Sequence, residues 1–366
     1  MLTAMLDRPW SRDQYPERLD LVRRLIAAAD DDKLAAELVD LAAATGDVWR
    51  YDGAQVRRAL EDLPAARRHA LILRLVDRAG SEAPPVGIDA LLVAVAAGIG
   101  PDTLSWRAAR RLGEGAAAAE AVDPGVLAVV AEVTERETGA VPPPLLAVMR
   151  RTAHRYTKDR PLEAWPRLRP WLEPAAGVLS VGEAWAEAVN AQAPSRELLV
   201  HALTAAGARP APRWARRGAD LVAELGVEPV RALIRGWLAL VPRPRTIPLR
   251  DPAPRLADPN TVPDPYNARA LRGLVYLLAV TPHHPDDVAA VGRLAQHAAE
   301  KVPGHGPRSQ MVAHACVYAL ERFTTVPAVR ELTRLRSIGQ PPGIAGALTA
   351  AIARRSVALG VDPARL

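Results

Sequence analysis

Apolar side chains recur along most of this chain at spacings of three and four residues, with polar residues between them. The runs Leu19–Ile26 and Leu34–Leu41 are the first examples. This spacing gathers the apolar side chains on one face of an α-helix. Similar runs of about 10–17 residues, which is an ordinary length for a globular helix, continue almost to the end of the chain. The pattern therefore predicts helix, short turn, helix, repeated many times.

Glycine and proline separate these runs. Gly113, Gly139 and Gly226 stand where a left-handed residue is expected just after a helix. Pro124 and Pro285 stand near expected helix starts, where the missing N–H costs little. The intervals between these marks are irregular, which excludes the fixed periods of tetratricopeptide and ankyrin repeats.

The fold class that follows is all-α. Apolar residues make up 49% of the 366 positions, enough for a continuous core, and phenylalanine is present once, as Phe323. Alanine and leucine, the best helix formers, dominate the apolar set, while aromatic strand formers are sparse. Paired helices without a strict period predict an irregular HEAT- or armadillo-like α-solenoid of antiparallel helix pairs, in which each pair packs only against its neighbours.

Residues 242–266 interrupt the helical pattern. The segment contains eight prolines and no helical period. Because proline fixes φ and removes a backbone donor, we expect an extended linker or a wrapping loop here. The predicted organisation is therefore an N-terminal helical-repeat region over 1–241, the Pro-rich segment over 242–266, and a C-terminal helical-repeat region over 267–366.

The charge balance leaves two kinds of partner open. The net charge of +6 comes almost entirely from arginine, because lysine is present only as Lys33, Lys158 and Lys301. Arginine favours bidentate contacts with phosphate or carboxylate, so nucleic acid or an acidic protein are both conceivable partners. Codon composition in a GC-rich genome would give the same balance without any ligand. A patch on the surface, which net charge does not reveal, would decide between these alternatives.

Several classes of site and compartment are not expected. Cys316 is the only cysteine, so we predict a buried, inert thiol without a disulfide or a thiolate metal cluster. The N-terminus lacks an apolar signal region, and no uncharged apolar stretch is long enough to span a bilayer. A soluble cytoplasmic protein of bacterial type, without membrane contact, is the expectation.

No catalytic set is apparent, so we predict that the protein is not an enzyme and needs no cofactor or metal. The Gly-x-Ser-x-Gly elbow, the Gly-x-Gly-x-x-Gly fingerprint and the Walker lysine are all absent. Glu183 and Glu187 lie one helical turn apart, which is typical of a solvated face. The adjacent residues His283–Asp287 cannot converge on one ion and are better explained as a helix start, where acidic side chains favour the positive end of the helix dipole.

The candidate anion- or partner-binding site is the turn at Lys301–Ser309. We expect a helix to end at a Gly-His-Gly turn and the next to start at Pro307, with its first turn holding two polar residues. Glycine amides and a helix N-terminus suit an anion, as in the Pro-Gly-x-Gly turn of helix-hairpin-helix motifs, which this turn resembles. The other and preferred interpretation is a tight interhelical turn in which the arginine serves a neighbouring carboxylate, and anion binding is the minority hypothesis. The candidate residues are Lys301, Gly304, His305, Gly306, Arg308 and Ser309.

A further set of residues carries a family resemblance. The C-terminal half resembles the helical-repeat region of bacterial molybdate-regulator-like proteins, many of which also contain a WGR domain. The resemblance covers roughly residues 180–366 as an order of motifs, and His305 replaces the aliphatic residue usual in that family. The landmarks that carry it, besides the turn at Lys301–Ser309, are Trp185, His201, Trp214, Trp237, Asn267, Arg272 and Gly273. Aromatic residues at such helical spacings are expected to supply core bulk.

The resemblance implies a helical-repeat protein that works in a multi-protein system, and it implies no molybdate binding. The chain is expected to lack the family's C-terminal domain. A non-enzymatic scaffold or adaptor that binds a protein partner is therefore the preferred function. A helical-repeat protein that grips a nucleic-acid backbone is the alternative, and a HEAT-like DNA glycosylase is a third.

Overall fold

The computed structural model describes residues 15–45, 53–79, 87–155, 161–172, 178–250, 258–282 and 284–363. The all-α prediction is confirmed for these residues, which form 18 α-helices and one two-stranded hairpin. No helix within the described ranges is both long enough and apolar enough to cross a membrane.

The chain divides into two compact units, Met1–Glu173 with Arg250–Pro254, and Pro174–Leu249 with Arg255–Leu366. This division differs from the predicted one at 242–266. The first unit contains the helices α1 (Tyr15–Ala27), α2 (Asp31–Thr45), α3 (Gly53–Glu61), α4 (Ala65–Ala79), α5 (Ile88–Ala96), α6 (Trp106–Ala117), α7 (Pro124–Thr138), α8 (Pro143–Arg155) and α9 (Pro161–Leu172).

The second unit contains the remaining elements, which are α10 (Ala184–Gln192), α11 (Arg196–Leu203), α12 (Pro212–Leu225), α13 (Val227–Leu240), α14 (Asn267–Val280), α15 (Pro285–Ala299), β1 (Lys301–Val302), β2 (Gly306–Pro307), α16 (Gln310–Arg322), α17 (Val326–Ser337) and α18 (Pro342–Leu359). A 3-10 turn at Pro259–Thr261 precedes α14.

The helix boundaries follow the expected signals in most of the places that the sequence marked. Gly139 ends α7 with a φ of 80°, Gly226 ends α12 with a φ of 90°, and Pro124 and Pro285 begin their helices. The prediction for Gly113 is wrong, because this residue lies inside α6.

Small residues allow the helices of the second unit to approach closely. Gly273 of α14 lies against the backbone of α11, where an added Cβ would be 2.0 Å from the carbonyl oxygen of Ala202. Close approach of this kind lets two helices exclude water along a short contact, because their backbones rather than long side chains meet. The core around this contact contains Leu199, Leu271 and Leu274 in buried positions.

The Pro-rich segment packs within the second unit instead of serving as an open spacer there. Thr246 donates its backbone N–H to the carbonyl of Gly182 over 3.1 Å. The side chain of Asn260 accepts from the N–H of Leu249 over 2.7 Å and donates to its carbonyl over 2.9 Å. The described parts of 242–266 in this unit therefore fit the wrapping-loop alternative, and residues 251–257 lie outside the described ranges.

Candidate functional site

The turn after α15 is a β-hairpin. Residues Lys301–Val302 pair antiparallel with Gly306–Pro307. Gly304 in the connection has a φ of 73°, and Gly306 at the start of β2 has a φ of 98°. The prediction that a helix starts at Pro307 is wrong by three residues, because β2 keeps the chain extended there. Ser309 is instead the N-cap of α16, and its hydroxyl accepts from the N–H of Val312 over 3.4 Å.

The backbone amides expected to cradle an anion are used within the fold. His305 donates its N–H to the carbonyl of Val302 over 3.1 Å. The N–H groups of Arg308 and Ser309 donate to the carbonyls of Glu300 and Ala298, each over 2.8 Å. These three amides are therefore paired within the fold and are not available to a phosphate, while anion binding at the turn stays a prediction.

Arg308 ties the hairpin to its surroundings, as the alternative interpretation of the turn expected. Its Nη2 donates to Glu300 Oε2 over 2.8 Å, and its Nη1 donates to the carbonyl of Thr261 in the 3-10 turn. The hydrogen bond from Arg308 holds the pKa of the Glu300 carboxyl below its usual range. With 19% of its side chain exposed, Arg308 is largely withdrawn from the surface.

The candidate residues of the hairpin divide between two cavities of the second unit. An open outer groove of about 1070 Å³ is bordered by Lys301 and Gly306, and an inner cavity of about 160 Å³ is bordered by Arg308 and Ser309. Gly304 and His305 are exposed at the tip of the hairpin and border neither cavity. His297 of α15 borders both.

The outer groove lies between the end of α15, the hairpin and the turn that leads into α18. Its lining residues are Arg293, Gln296, His297, Ala299, Glu300, Lys301, Gly306, Pro307, Ile338, Gly339, Gln340, Pro341 and Pro342. Ile338 is 45% exposed and is one of two large exposed apolar side chains among the described residues, Val357 being the other. A single exposed aliphatic side chain is ordinary on a protein surface, and its place in the groove makes Ile338 available for contact with an apolar residue of a partner.

The inner cavity lies between the Pro-rich segment, α14, α15 and the start of α16. Its polar lining residues are Glu183, Arg243, Arg245, Asn260, Thr261, His297, Arg308 and Ser309, and its apolar lining residues are Val241, Pro242, Pro244, Val262, Pro263, Leu271, Leu294, Ala298 and Val312. Burial, followed by the charge of Arg308, lowers the pKa of His297, so its imidazole is neutral at pH 7.

Glu183 and its partners form a buried polar network beside the inner cavity. Its Oε2 accepts from the side-chain amide of Asn267 over 2.8 Å, and its Oε1 accepts from the N–H of Asp264 over 2.8 Å and from Arg245 Nη1 over 3.4 Å. Burial, followed by the nearby charge of Asp264, raises the pKa of Glu183. The same side chain of Asn267 also bonds both backbone groups of Ser180.

The interpretation of Glu183 and Glu187 as a solvated face is wrong. Glu183 is the buried N-cap residue of α10, and Glu187 Oε1 accepts from the N–H of Gly182 over 3.0 Å and from the hydroxyl of Thr246 over 2.5 Å. Sequence reasoning missed this network because its partners lie about 60 to 85 positions away in the chain. Only the Gly-Glu pair just before a helix hinted at a special role.

The remaining landmark residues have packing roles. Trp185 and Trp237 are buried in the core of the second unit. His201 stacks on Trp214 with ring centroids 4.4 Å apart, and Trp214 Nε1 donates to the carbonyl of His201 over 3.0 Å. Arg272 donates to the carbonyl of Ala205 after the end of α11. These contacts fasten α11, α12 and α14 together and border neither cavity.

The segment that begins at His284 is a helix start, as its acidic residues indicated. His284 Nδ1 accepts from the N–H of Asp286 over 3.3 Å, and Asp287 Oδ2 accepts from the N–H of His284 over 3.1 Å. Asp287 is fully buried and pairs with Arg231 and with Arg235, the latter over 2.9 Å. His283 lies outside the described residues, among which no group of three His, Cys, Asp or Glu side chains suits a metal ion.

Comparison of the chain with models of protein families, with curated proteins and with solved structures finds no match. The resemblance of residues 180–366 to molybdate-regulator-like proteins therefore stays a prediction. The assignment of a function rests on the geometry of the second unit.

Proposed function

We propose that this protein is a non-enzymatic helical-repeat scaffold that binds an acidic segment of a protein partner in the outer groove of its second unit. Within the described residues, every closely packed pair of helices is separated by at most three positions in the helix order. Packing between near neighbours in the chain is typical of HEAT- and armadillo-like arrays. This order supports the irregular solenoid architecture in each unit.

The outer groove is the observation that carries the proposal. Its volume of about 1070 Å³ is slightly above that of ordinary ligand pockets, which measure about 300–1,000 Å³, and the groove is partly open to solvent. Proline and glycine residues form much of its rim, at Gly306–Pro307 and Gly339–Pro342. Such rims have few long side chains to fold over the groove, so an extended peptide can lie in it.

The charges of the groove select the chemistry of the partner. Arg293 and Lys301 are exposed, and neither forms an ion pair within the described residues. Glu300, the acidic lining residue, is neutralised by Arg308 at 2.8 Å. Two available cations beside the exposed Ile338 therefore favour an acidic segment with one aliphatic or aromatic anchor.

Selection of peptides from a random displayed library on the purified full chain tests the proposal. We expect enriched peptides to combine Asp or Glu with an apolar residue. Ile338→Asp should lower the affinity of the protein for a purified selected peptide at least about tenfold, since burying an aliphatic side chain is worth about 1.5–3 kcal/mol. Val357→Asp is the matched control, because Val357 is 85% exposed and lies outside the groove; its affinity should stay within about twofold of wild type.

Two results would contradict the proposal. One is a failure of the Ile338 test, either because no peptide is enriched over an empty support or because the Ile338 and Val357 variants change the affinity of an enriched peptide equally. The other is tighter binding of a duplex or single-stranded oligonucleotide than of any peptide, with the steep salt dependence of phosphate contacts. The second outcome would favour the nucleic-acid alternative.

A further inference from the structure

The inner cavity has an uneven charge distribution. Three arginines, Arg243, Arg245 and Arg308, border it, and Glu183 is the acidic residue among its described lining residues. Arg245 contacts Glu183 and Arg308 is paired with Glu300, so Arg243 is the lining arginine without an ion pair among the described residues. The first turn of α16 also reaches it through Ser309 and Val312. The N-terminus of a helix is the positive end of its dipole and favours a nearby anion. Cations and helix dipole therefore act on the same small space.

Arg245 is a second and independent sign of a ligand. Its side chain is 5% exposed, and its Nη1 contacts Glu183 Oε1 over 3.4 Å. Its Nε and Nη2 are buried and have no hydrogen-bond partner within the described residues. These two nitrogens form the edge of the guanidinium that binds carboxylates in a bidentate manner. Donors left unpaired in the interior are costly, so an acceptor that reached them would gain binding energy.

The size and the apolar lining of the cavity, which is partly open to solvent, favour a small acceptor with an apolar part. A volume of about 160 Å³ is several times the space of one water molecule, whose share of liquid volume is about 30 Å³, and is well below ordinary nucleotide or drug-sized pockets. Leu271, Leu294 and Val312 border the cavity on its apolar side. A charged head with a short hydrocarbon body suits this lining better than a bare ion.

We propose that the inner cavity of the second unit binds a small aliphatic carboxylate. The carboxylate group lies against Arg245, Arg308 and the N-terminus of α16, and its alkyl body lies against the leucine and valine side chains. The Nε and Nη2 edge of Arg245, which has no hydrogen-bond partner among the described residues, is the edge that would hold the carboxylate while Nη1 keeps Glu183. The neutral His297 adds a hydrogen-bonding group without a further charge. This site shares only His297, among the described lining residues, with the outer groove proposed for the protein partner.

Calorimetric titration of the full chain with acetate, butyrate, hexanoate and inorganic phosphate, at constant ionic strength, tests the inference. Each buried methylene is worth about 0.8 kcal/mol, or nearly fourfold in affinity, so butyrate should bind about fifteenfold more tightly than acetate. The gain should stop once the alkyl chain exceeds the cavity. Phosphate, which has no apolar body, should bind more weakly than butyrate.

Two arginine variants locate the site. Arg245→Lys keeps the charge beside Glu183 but removes the guanidinium edge that binds in a bidentate manner. We expect it to lower the affinity for butyrate at least about tenfold. Arg243→Gln, at an exposed position of the lining, serves if the first variant fails to fold, and should weaken butyrate about threefold or more. Arg293→Gln is the matched control, since it removes the same charge from an exposed residue that borders only the outer groove.

Three outcomes would overturn the inference. The first is the absence of saturable binding by any of the four anions. The second is an equal loss of affinity in Arg293→Gln and Arg243→Gln, which would indicate general attraction to a basic surface. The third is tighter binding of phosphate than of butyrate, which would mean that the cavity takes a bare oxyanion. Ile338→Asp should leave butyrate binding unchanged, so failure of this site and failure of the proposed peptide groove are distinguishable.

Discussion

Gly273→Ala tests the close approach of α11 and α14 on which the second unit depends. The new Cβ would lie 2.0 Å from the carbonyl oxygen of Ala202, 2.5 Å from its carbonyl carbon and 2.6 Å from its Cα. All three atoms belong to backbone, so no side-chain rotation relieves the overlap. Contacts between carbon and oxygen normally begin at about 3.3 Å, so the two helices must separate by roughly 1.3 Å.

The expected cost follows from that separation. A gap of 0.5–1 Å already forfeits about a quarter to a half of the dispersion energy of the contacts involved, and over-packed cores lose about 1–3 kcal/mol. Replacing glycine by alanine inside a helix returns about 0.5–1 kcal/mol through backbone entropy. The overlap here is larger than a single methylene usually causes, so we expect a net loss of about 3 kcal/mol in the free energy of unfolding of this unit.

Amide hydrogen exchange followed by mass spectrometry is the suitable assay, because two compact units need not unfold in one step. Peptides from α11 and α14 should lose protection in Gly273→Ala. Gly236→Ala in α13 is the matched control, since its Cβ would meet no atom within 4 Å; it should stabilise the unit by up to about 1 kcal/mol. Protection in Gly273→Ala equal to or above wild type would refute the packing argument.

Three further predictions concern the site and its surroundings. Asn267→Ala should destabilise the second unit by at least about 2 kcal/mol in urea denaturation, because it leaves Glu183 and buried backbone groups without partners. Arg308→Gln should raise the pKa of Glu300 toward its ordinary value in carbon-detected NMR titration, because the hydrogen bond that lowers it is lost. Cys316 should not react with a disulfide reagent at pH 8 in the native protein, because burial raises the pKa of its thiol.

Each of these predictions has an outcome that contradicts it. A loss below about 0.5 kcal/mol in Asn267→Ala would mean that water replaces the amide. A carboxyl whose pKa is lower in the folded than in the unfolded state stabilises the fold at pH values above its unfolded pKa, and this stabilisation is lost as the pH falls through its folded pKa. The difference in stability between wild type and Arg308→Gln should therefore shrink in acid. A difference that grows in acid would be inconsistent with the Glu300 pair. In denaturant, the reagent should label one thiol per chain, since Cys316 is the only cysteine of the sequence. Rapid labelling of Cys316 in the native protein, without denaturant, would contradict its burial.

The helices were predictable because their signals are local. Apolar spacing, alanine and leucine content, and caps such as Asp123 before Pro124 depend on neighbours within one or two turns. The error at Gly113 arose because a glycine inside a helix and a glycine after a helix look alike in the sequence, and Gly113 lies inside α6. Likewise, Pro307 was the expected start of α16, but it pairs with Lys301 in the hairpin, and α16 begins at Gln310.

The candidate site was predictable only as a segment of the chain. The sequence directed attention to Lys301–Ser309, and its alternative interpretation of Arg308 as the partner of a carboxylate matches the contact with Glu300. The two cavities on either side of the hairpin had no sequence signal. Their lining brings together Arg245, His297 and Ile338, which belong to segments far apart in the chain and have no shared motif.

By itself, the sequence determined that this protein folds into helices, because helix formation depends on interactions a few residues apart. The tertiary structure alone decided which polar groups form hydrogen bonds within the protein and which can bind a ligand or partner. It paired the amides of His305, Arg308 and Ser309 within the fold, withdrew Glu183 from solvent, left Ile338 exposed, and left two nitrogens of Arg245 without a hydrogen-bond partner among the described residues. Burial and hydrogen bonding between distant segments are properties of the packed chain, and for that reason they appear only after the helices have assembled.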